Sequence, residues 1–472
     1  MADETEGDLR HIRYAEPQEP IDYEAFRQDY TLPDWKDSRK LHKKQPVRDL
    51  GGARLEHKHL YYSRDVWERE WDQLWSKVWL HVGHLSDIPR RSSFMKVDRG
   101  PESVLVVRGD GDDVKGMYNV CQHRGARLVM QDFGSTQKFV CPFHRWEFAT
   151  SGELLKIQDR ESFREDAICY NLDLPMVRTA VWRGWIFMTL NDDAPPLEEF
   201  LGADLIERAA AYDFENVLRI RDVQQEWPAN WKTAHEAFVE GYHVQATHPQ
   251  LFSAVNAYHT QTDLFDNGHA LSIYQFMSPS PQYVSRLTDE LAEEHKIFLR
   301  EAGIEEADFP THWSEVPGAI IKAKKARKDY VIDYDKFSEG QLIDDWGLGI
   351  FPTTEMFLHP EGFFVQQWLP HPTDPEKCIY QVQVYAVPGI GELPSFMAVE
   401  DADMSGAKVL PRTYADADDI DVSGPVVKQD RVLVPRVQSG LHSKGYKGGV
   451  YSDQEIRIRH FFHEYYKYIP NI

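Results

Sequence analysis

The sequence predicts an α+β protein, in which a small all-β domain precedes a larger domain built from an antiparallel sheet flanked by helices. Three observations predict it. Short β-type runs at residues 102–107 and 116–120 are broken by the turn GDGDD. The stretch LNDDAPPLEEF (Leu190–Phe200) sets two prolines and flanking acids between apolar runs, as a linker does. Beyond it, residues 269–277, 361–369 and 377–386 alternate like antiparallel strands, and residues 285–328 read as helices outside that sheet.

In chain order, residues 1–64 are polar and rich in Pro and charge, and read as an arm lying on a surface or a neighbouring subunit. From Asp65, DVWEREWDQLWSKVW places Trp67, Trp71, Leu74 and Trp75 on one helical face, which reads as core. This helix and the β-runs up to VWRGWIFMTL (Val181–Leu190) make a first domain over residues 65–190, and the rest, residues 191–472, makes the second. In the second domain, Pro228 and Asn230 are helix-start signals for NWKTAHEAFVEGYHVQATH. The run Lys322–Lys328 (KAKKARK) is unusual in so acidic a chain and reads as a solvated helix face, with docking of an acidic ferredoxin the minority reading.

Composition narrows the function. The 472 residues carry 53 Lys plus Arg against 76 Asp plus Glu, a net charge of −23 that disfavours nucleic acid and anionic membrane surfaces. With 4 Cys there is no disulfide framework; Cys169 and Cys378 read as buried thiols, and a reducing, cytoplasmic setting follows. The opening MADETEGDLRHIRYAE is charged, unlike a signal peptide, and no run approaches the length of a membrane span.

Chemistry concentrates between Asn119 and Gly152. Cys121 pairs with His123 and Cys141 with His144, the pairs separated by residues 124–140, enough for a hairpin that sets them face to face. Two thiolates and two imidazoles suit either a tetrahedral zinc or a [2Fe–2S] centre with two His on one iron. Structural zinc sites commonly cluster like with like, whereas here each pair mixes one Cys and one His, so each loop can give sulfur to one iron and nitrogen to the other.

C-x-H-R-G followed by C-P-F-H, with Trp146 and Gly152, resembles the cluster motif of the Rieske non-haem iron oxygenases. The chain departs from that family at Arg145, usually Gly, and at Phe143, more often Tyr; neither is a ligand.

A second constellation lies at Glu240, His243 and His248. Glu240 and His243, three apart, would share a helix face. His243 and His248 are five apart, about 140° out of phase on a regular helix, so they meet at one metal only if the helix is broken or ended between them. N-W-K, then E-A-F-V-E-G-Y-H-x4-H, resembles the mononuclear iron motif of the same family, with Glu240 where Asp is usual and Ala237 where Asn is common. Two His and one carboxylate form the facial triad of non-haem Fe(II) oxygenases, leaving positions open for O2 and substrate. Near the C-terminus, Asp430 followed by Gln438, Gly440 and Leu441 resembles the family's late helix, whose acidic residue completes the triad. Periodicity independently puts Asp430 on one face with Leu433, Val434, Val437 and Leu441, and a buried carboxylate favours a metal partner. Pro435 is awkward in such a helix and would shift its start; Asp418, Asp419 and Asp421 are rivals that read as solvated.

The resemblance implies the large (alpha) oxygenase subunit of an aromatic-ring-hydroxylating system, with a Rieske [2Fe–2S] domain and a helix-grip catalytic domain. It implies mononuclear Fe(II), O2 as co-substrate, and NAD(P)H used only through a separate reductase, since the chain lacks a nucleotide-binding glycine fingerprint. A ferredoxin and a small beta subunit stay open as partners. The implied assembly is a head-to-tail homotrimer in which Glu240 bridges His144 of one subunit and His243 of the next. Hydroxylation, dihydroxylation and oxidative demethylation of a small organic acceptor all fit; an aromatic one is preferred, a quaternary ammonium one remains open, and Phe238, Tyr242 and Phe252 would line its pocket. The alternatives are an electron-transfer protein using only the cluster, and a zinc-dependent hydrolase using His243, His248 and Asp430. A guanidinium at Arg145 would raise the cluster potential, or else point to solvent.

Overall fold

The computed structural model describes residues 50, 54–55, 57–280, 290–328, 330–390, 394 and 410–470. Most of the arm, and the start of the helical segment expected from residue 285, lie outside these.

The Trp-rich helix α1 (Arg64–Glu70) continues into a wider turn at Trp71–Trp75. This widening keeps Trp71, Leu74 and Trp75 all buried, and Trp75 meets Trp231 of the second domain at 5.1 Å. The first domain then forms from β1 (Leu80–His84), β2 (Ser93–Arg99), β3 (Glu102–Arg108), β4 (Val114–Tyr118), β5 (Phe133–Ser135), β6 (Lys138–Val140), β7 (Glu147–Ala149), β8 (Leu154–Lys156), β9 (Met176–Trp182) and β10 (Trp185–Thr189). Seven of these make one antiparallel sheet, ordered β1-β10-β9-β4-β3-β2-β5. The other three, β6-β7-β8, make a small sheet that carries the second Cys/His pair and packs Phe139, Trp146 and Phe148 into one core with Phe94, Leu105 and Met117 of the larger sheet.

After the linker come two short helices, α2 (Leu197–Leu201) and α3 (Ala203–Arg208). The large sheet follows: β11 (Leu218–Trp227), β12 (Val255–Leu264), β13 (Ala270–Phe276), β14 (Asp345–Ile350), β15 (Thr354–His359), β16 (Gly362–Pro370), β17 (Cys378–Ala386) and β18 (Thr413–Ala415). Their order is β12-β13-β14-β15-β16-β17-β11-β18, antiparallel except where β18 joins β11. Flanking it are α4 (Trp231–Glu236), α5 (Val244–Thr247), α6 (Glu293–Glu301), α7 (Val316–Ala326), α8 (Glu339–Ile343), α9 (Gly424–Leu441) and α10 (Ile456–Tyr468).

In β16 and β17, Gln366, Gln367, Gln381 and Gln383 are all buried. Gln366 points to one side of the sheet, accepting from the Tyr380 hydroxyl at 2.8 Å, while Gln367, Gln381 and Gln383 point to the other, where the sheet meets the first domain. Gln367 donates to the His81 carbonyl at 3.1 Å, and Gln381 to Asp222 at 2.9 Å. Arg219 pairs with Asp87 and Asp222, and Arg412 with Asp222, so the charges buried there are matched. Trp185 adds the apolar part, with its ring 4.8 Å from that of Tyr385.

Four local expectations need correction. Residues 230–248 are not one helix, because the chain leaves helical geometry between α4 and α5. Pro435 lies inside α9 without moving its start, since the helix begins at Gly424 with Pro425 in its first turn. The inward face of α9 runs through Val427, Asp430, Val434, Gln438 and Leu441, and Val437 is exposed. Cys169 is exposed, while Cys378 is buried. Among the described residues, no helix is long and apolar enough to cross a membrane.

Candidate metal centres

The loops bearing Cys121 and Cys141 share one hydrogen-bond plan. Cys121 N–H donates to the Ala126 carbonyl and Cys141 N–H to that of Trp146, at 2.9 and 2.8 Å. The fourth residue after each Cys closes the loop, Gly125 on Cys121 and Arg145 on Cys141, each at 3.0 Å. Both closing residues are left-handed, with φ +74° and +61°. Asn119 anchors the first loop. Its carbonyl oxygen accepts from the amides of Leu128 and Val129, and its amide donates to Ser103 and the Val129 carbonyl. Nothing in the local pattern marked Asn119 for this task.

Both cysteines are buried and unbridged. Burial pushes the Cys121 thiol up, so a thiolate there needs a cation beside it. The His123 and His144 rings lie 4.5 Å apart, and His123 stacks on Trp146. Both Nδ1 atoms are buried with no hydrogen-bond partner. Two buried thiols and two orphaned imidazole nitrogens at one end of the small domain fit the sulfur-and-nitrogen donor set of a [2Fe–2S] centre with two His on one iron.

The second site forms where α4 ends. Asn230 caps that helix, its side chain accepting from Lys232 N at 2.9 Å. The chain then turns through Gly241, where a Cβ would stand 3.0 Å from the Ala257 carbonyl and the Tyr274 ring. The helix restarts as the single turn α5, with His243 just before it and His248 just after, ahead of Pro249. This bracketing solves the phase problem of a five-residue spacing. The two Nε2 atoms approach to 3.2 Å, and Asp430 Oδ1 lies 3.6 Å from that of His243 and 3.2 Å from that of His248. Asp418, Asp419 and Asp421 are exposed.

Three electron-rich atoms facing one another at such distances ask for a cation. Adjacent ligands about an ion with bonds of about 2.1 Å sit roughly 3 Å apart, so the set fits a mononuclear metal. The protonation of His243 says the same. Burial opposes its charged form, yet the Glu240 carboxylate, with Asp430 and Glu455 behind it, raises its pKa to about 9. The surroundings favour positive charge there.

Glu240 does not share a helix face with His243, because it precedes the turn. Its Oε1 takes the His243 Nδ1 at 2.6 Å, and its Oε2 accepts from the amides of Tyr242 and His243. The matching partner of His248 is Gln429, whose Oε1 lies 2.6 Å from Nδ1 and is steadied by Gln250 at 2.9 Å. Sequence reasoning missed Gln429; only its place next to Asp430 could have marked it. Gln438 ties α9 to α4, accepting from Asn230 N at 3.0 Å and the Thr233 hydroxyl at 2.8 Å, and donating to the Tyr61 carbonyl.

Of the aromatic residues expected around a pocket, Phe238 is half-buried with its ring 4.7 Å from that of Trp368, and Phe252 is half-buried. Tyr242 is 54% exposed and does not line an interior wall. Arg145 is exposed, and Lys324 of the basic run turns inward to pair with Glu361 at 2.9 Å.

Comparison with known proteins agrees with both sites. A family described as "Ring hydroxylating alpha subunit (catalytic domain)" matches residues 214–471, and one described as "Rieske [2Fe-2S] domain" matches residues 78–171. The chain is 32% identical over 203 residues to a glycine betaine monooxygenase oxygenase subunit of Pseudomonas aeruginosa, covering 43% of this chain and 47% of that protein. It is 30% identical over 202 residues to the anthranilate 1,2-dioxygenase large subunit of Acinetobacter baylyi, covering 42% and 43%. The chain thus spans about half the length of the curated relatives it matches. In fold it is similar to a naphthalene 1,2-dioxygenase with indole bound (TM-score 0.62, 17% identity, 89% of this chain and 92% of that one). It is also similar to a quaternary ammonium Rieske monooxygenase in complex with L-carnitine (TM-score 0.58, 19% identity, 87% and 94%).

Proposed function

The chain belongs to the ring hydroxylating alpha subunit family and carries a Rieske [2Fe–2S] domain, and from that premise we propose that it is the terminal oxygenase of a multicomponent system. It takes electrons from a separate reductase, through a ferredoxin where one is present, and uses O2 to hydroxylate, dihydroxylate or demethylate a small organic acceptor. One observation carries this reading: His243, His248 and Asp430 converge with ligand atoms within 4.8 Å in a chain that also holds the paired Cys/His loops. The domain limits we assign are residues 65–190 and 191–472.

Cys121, His123, Cys141 and His144 would hold the cluster, and His243, His248 and Asp430 the mononuclear iron. Bound there, these groups supply one-electron transfer and activation of O2. The protein's own residues set the proton positions. Glu240 and Gln429 are acceptors at the Nδ1 atoms of His243 and His248, which keeps each proton on Nδ1 and each Nε2 free to ligate. Asp430, held inside by its helix, supplies the negative charge that balances the metal. In a head-to-tail homotrimer, Glu240 would also reach His144 of the next subunit and so orient two ligands of different centres. We assign the protein to the cytoplasm. An aromatic acceptor is our first choice and a quaternary ammonium one the second, and the two relatives named above are one of each kind.

Iron and acid-labile sulfide are the first measurement. Anaerobic reconstitution should give about three irons and two sulfides per chain, with a rhombic EPR signal on reduction. A colourless zinc protein would support a hydrolase, and two irons with no mononuclear site an electron carrier. Substrate-dependent O2 uptake with a surrogate reductase, across aromatic acids and quaternary ammonium compounds, then selects the acceptor.

A further inference from the structure

A cavity of about 330 Å³ lies between α6, α7, α8 and the turn joining β15 to β16. No residue of the triad lines it. Glu361 on its wall precedes β16, whereas His235 and Phe238 touch Trp368 near the other end of that strand, roughly 20 Å away.

The basic run 322–328 contributes two of its walls. Lys324 donates to the Leu342 carbonyl at 2.9 Å and pairs with Glu361, whose carboxylate also accepts from the Tyr334 hydroxyl at 2.8 Å. Burial works to raise the Glu361 carboxyl, but the Lys324 ammonium outweighs it and holds the group below its usual range. That part of the lining is a closed, neutral network. Arg300 is neutralised as well, by Glu293 and Glu306 outside the cavity.

Arg327 differs. Its guanidinium donates to the Glu301 carbonyl at 3.2 Å and lies 5.5 Å over the Tyr330 ring, with no ion-pair partner among the described residues. Gly303 makes room for it, since a Cβ there would fall 2.3 Å from Nη2. The Tyr330 and Tyr334 rings stack at 5.9 Å and 8°, and Phe298, Ile320 and Leu342 form apolar wall.

A cation that makes no ion pair among the described residues, beside an apolar wall and in a volume typical of small-molecule sites, points to the ligand chemistry. We propose that this cavity binds a small organic acid, its carboxylate on Arg327 and its apolar body against Phe298, Ile320 and Leu342. The site is separate from the iron centres and independent of the oxygenase reading.

Equilibrium dialysis of the full chain with radiolabelled benzoate tests it. One equivalent should bind, and binding should weaken about tenfold or more in Arg327→Gln and in the cavity-filling Ile320→Trp. It should survive in Arg327→Lys and in His248→Ala, which removes an iron ligand, and the uncharged benzamide should compete poorly. Absence of saturable binding up to about 10 mM overturns the proposal, as does binding unchanged in both Arg327→Gln and Ile320→Trp. Should Arg327→Gln fail to fold by circular dichroism, Ile320→Trp decides alone: full-strength binding there overturns the site.

Discussion

Gly125 and Arg145 occupy the same place in two loops of one design, each donating its amide at 3.0 Å to the cysteine four residues before it, each left-handed. Glycine takes that conformation freely, whereas an L-residue held in it costs about 1 kcal/mol. Arg145 thus carries strain beside His144, a proposed cluster ligand. Replacing it with Gly should stabilise the first domain by up to about 1 kcal/mol in chemical denaturation. Loss of the guanidinium should also lower the cluster midpoint potential, because a cation favours the reduced, more negative state. Redox titration followed by EPR reads this directly, and an unchanged or higher potential would contradict the electrostatic role.

Glu240→Ala should keep both metals and lose productive turnover, because it removes the acceptor at His243 Nδ1 while leaving every ligand atom in place. Iron content should match the parent, and reductant consumption should no longer track product formed. Full activity with unchanged metal content would take Glu240 out of the relay.

Gln438→Leu should loosen the mononuclear site selectively. It strips the buried Asn230 amide and Thr233 hydroxyl of their acceptor and unties α9 from α4, at a cost of about 2–3 kcal/mol. The expected product retains two irons and two sulfides per chain but has lost most of the third iron. Retention of all three would show that Gln438 does not position Asp430.

Acid should destabilise the protein well before its carboxylates titrate. Burial lowers the pKa of His81 to about 3 and of His84, His269 and His295 to about 4. The unfolded chain takes up these protons near pH 6.5 and the folded chain does not, so stability is complete above pH 6.5 and falls as pH drops from there toward 4. The four histidines together set a slope of roughly 5 kcal/mol per pH unit at most. Thermal melts between pH 7.5 and 5 should show a steep fall, and a flat profile would mean these histidines charge in place.

What could be read from the chain and what could not divide on physical lines. The Cys/His pairs and the two-histidine stretch are local patterns, so their residue types and spacings survive in sequence. The linker and the β-runs are local too. Asp430 was legible because an acid on an apolar helical face is conspicuous, although Val437, counted on that face, proved exposed. Gln429, Asn119 and the break between α4 and α5 depend on what packs against them. Gly241 must pass the Ala257 carbonyl and Tyr274, residues that come beside it only when the sheet forms. The partners of the buried glutamines of β16 and β17 come from distant parts of the chain too, His81 of the first domain for Gln367 and Asp222 of β11 for Gln381.

The single helical turn between His243 and His248 acts as a spacer of fixed length. Adding or deleting one residue would swing the second imidazole by about 100° and carry its nitrogen out of reach of the first. Substitution is another matter, because Val244, Gln245, Ala246 and Thr247 contribute no ligand atom. Thr247 is buried and Val244 packs on the cluster of Val255, Ala257 and Tyr274, whereas Ala246 is exposed, so that one position is where the surroundings of the metal can be reshaped without dismantling it.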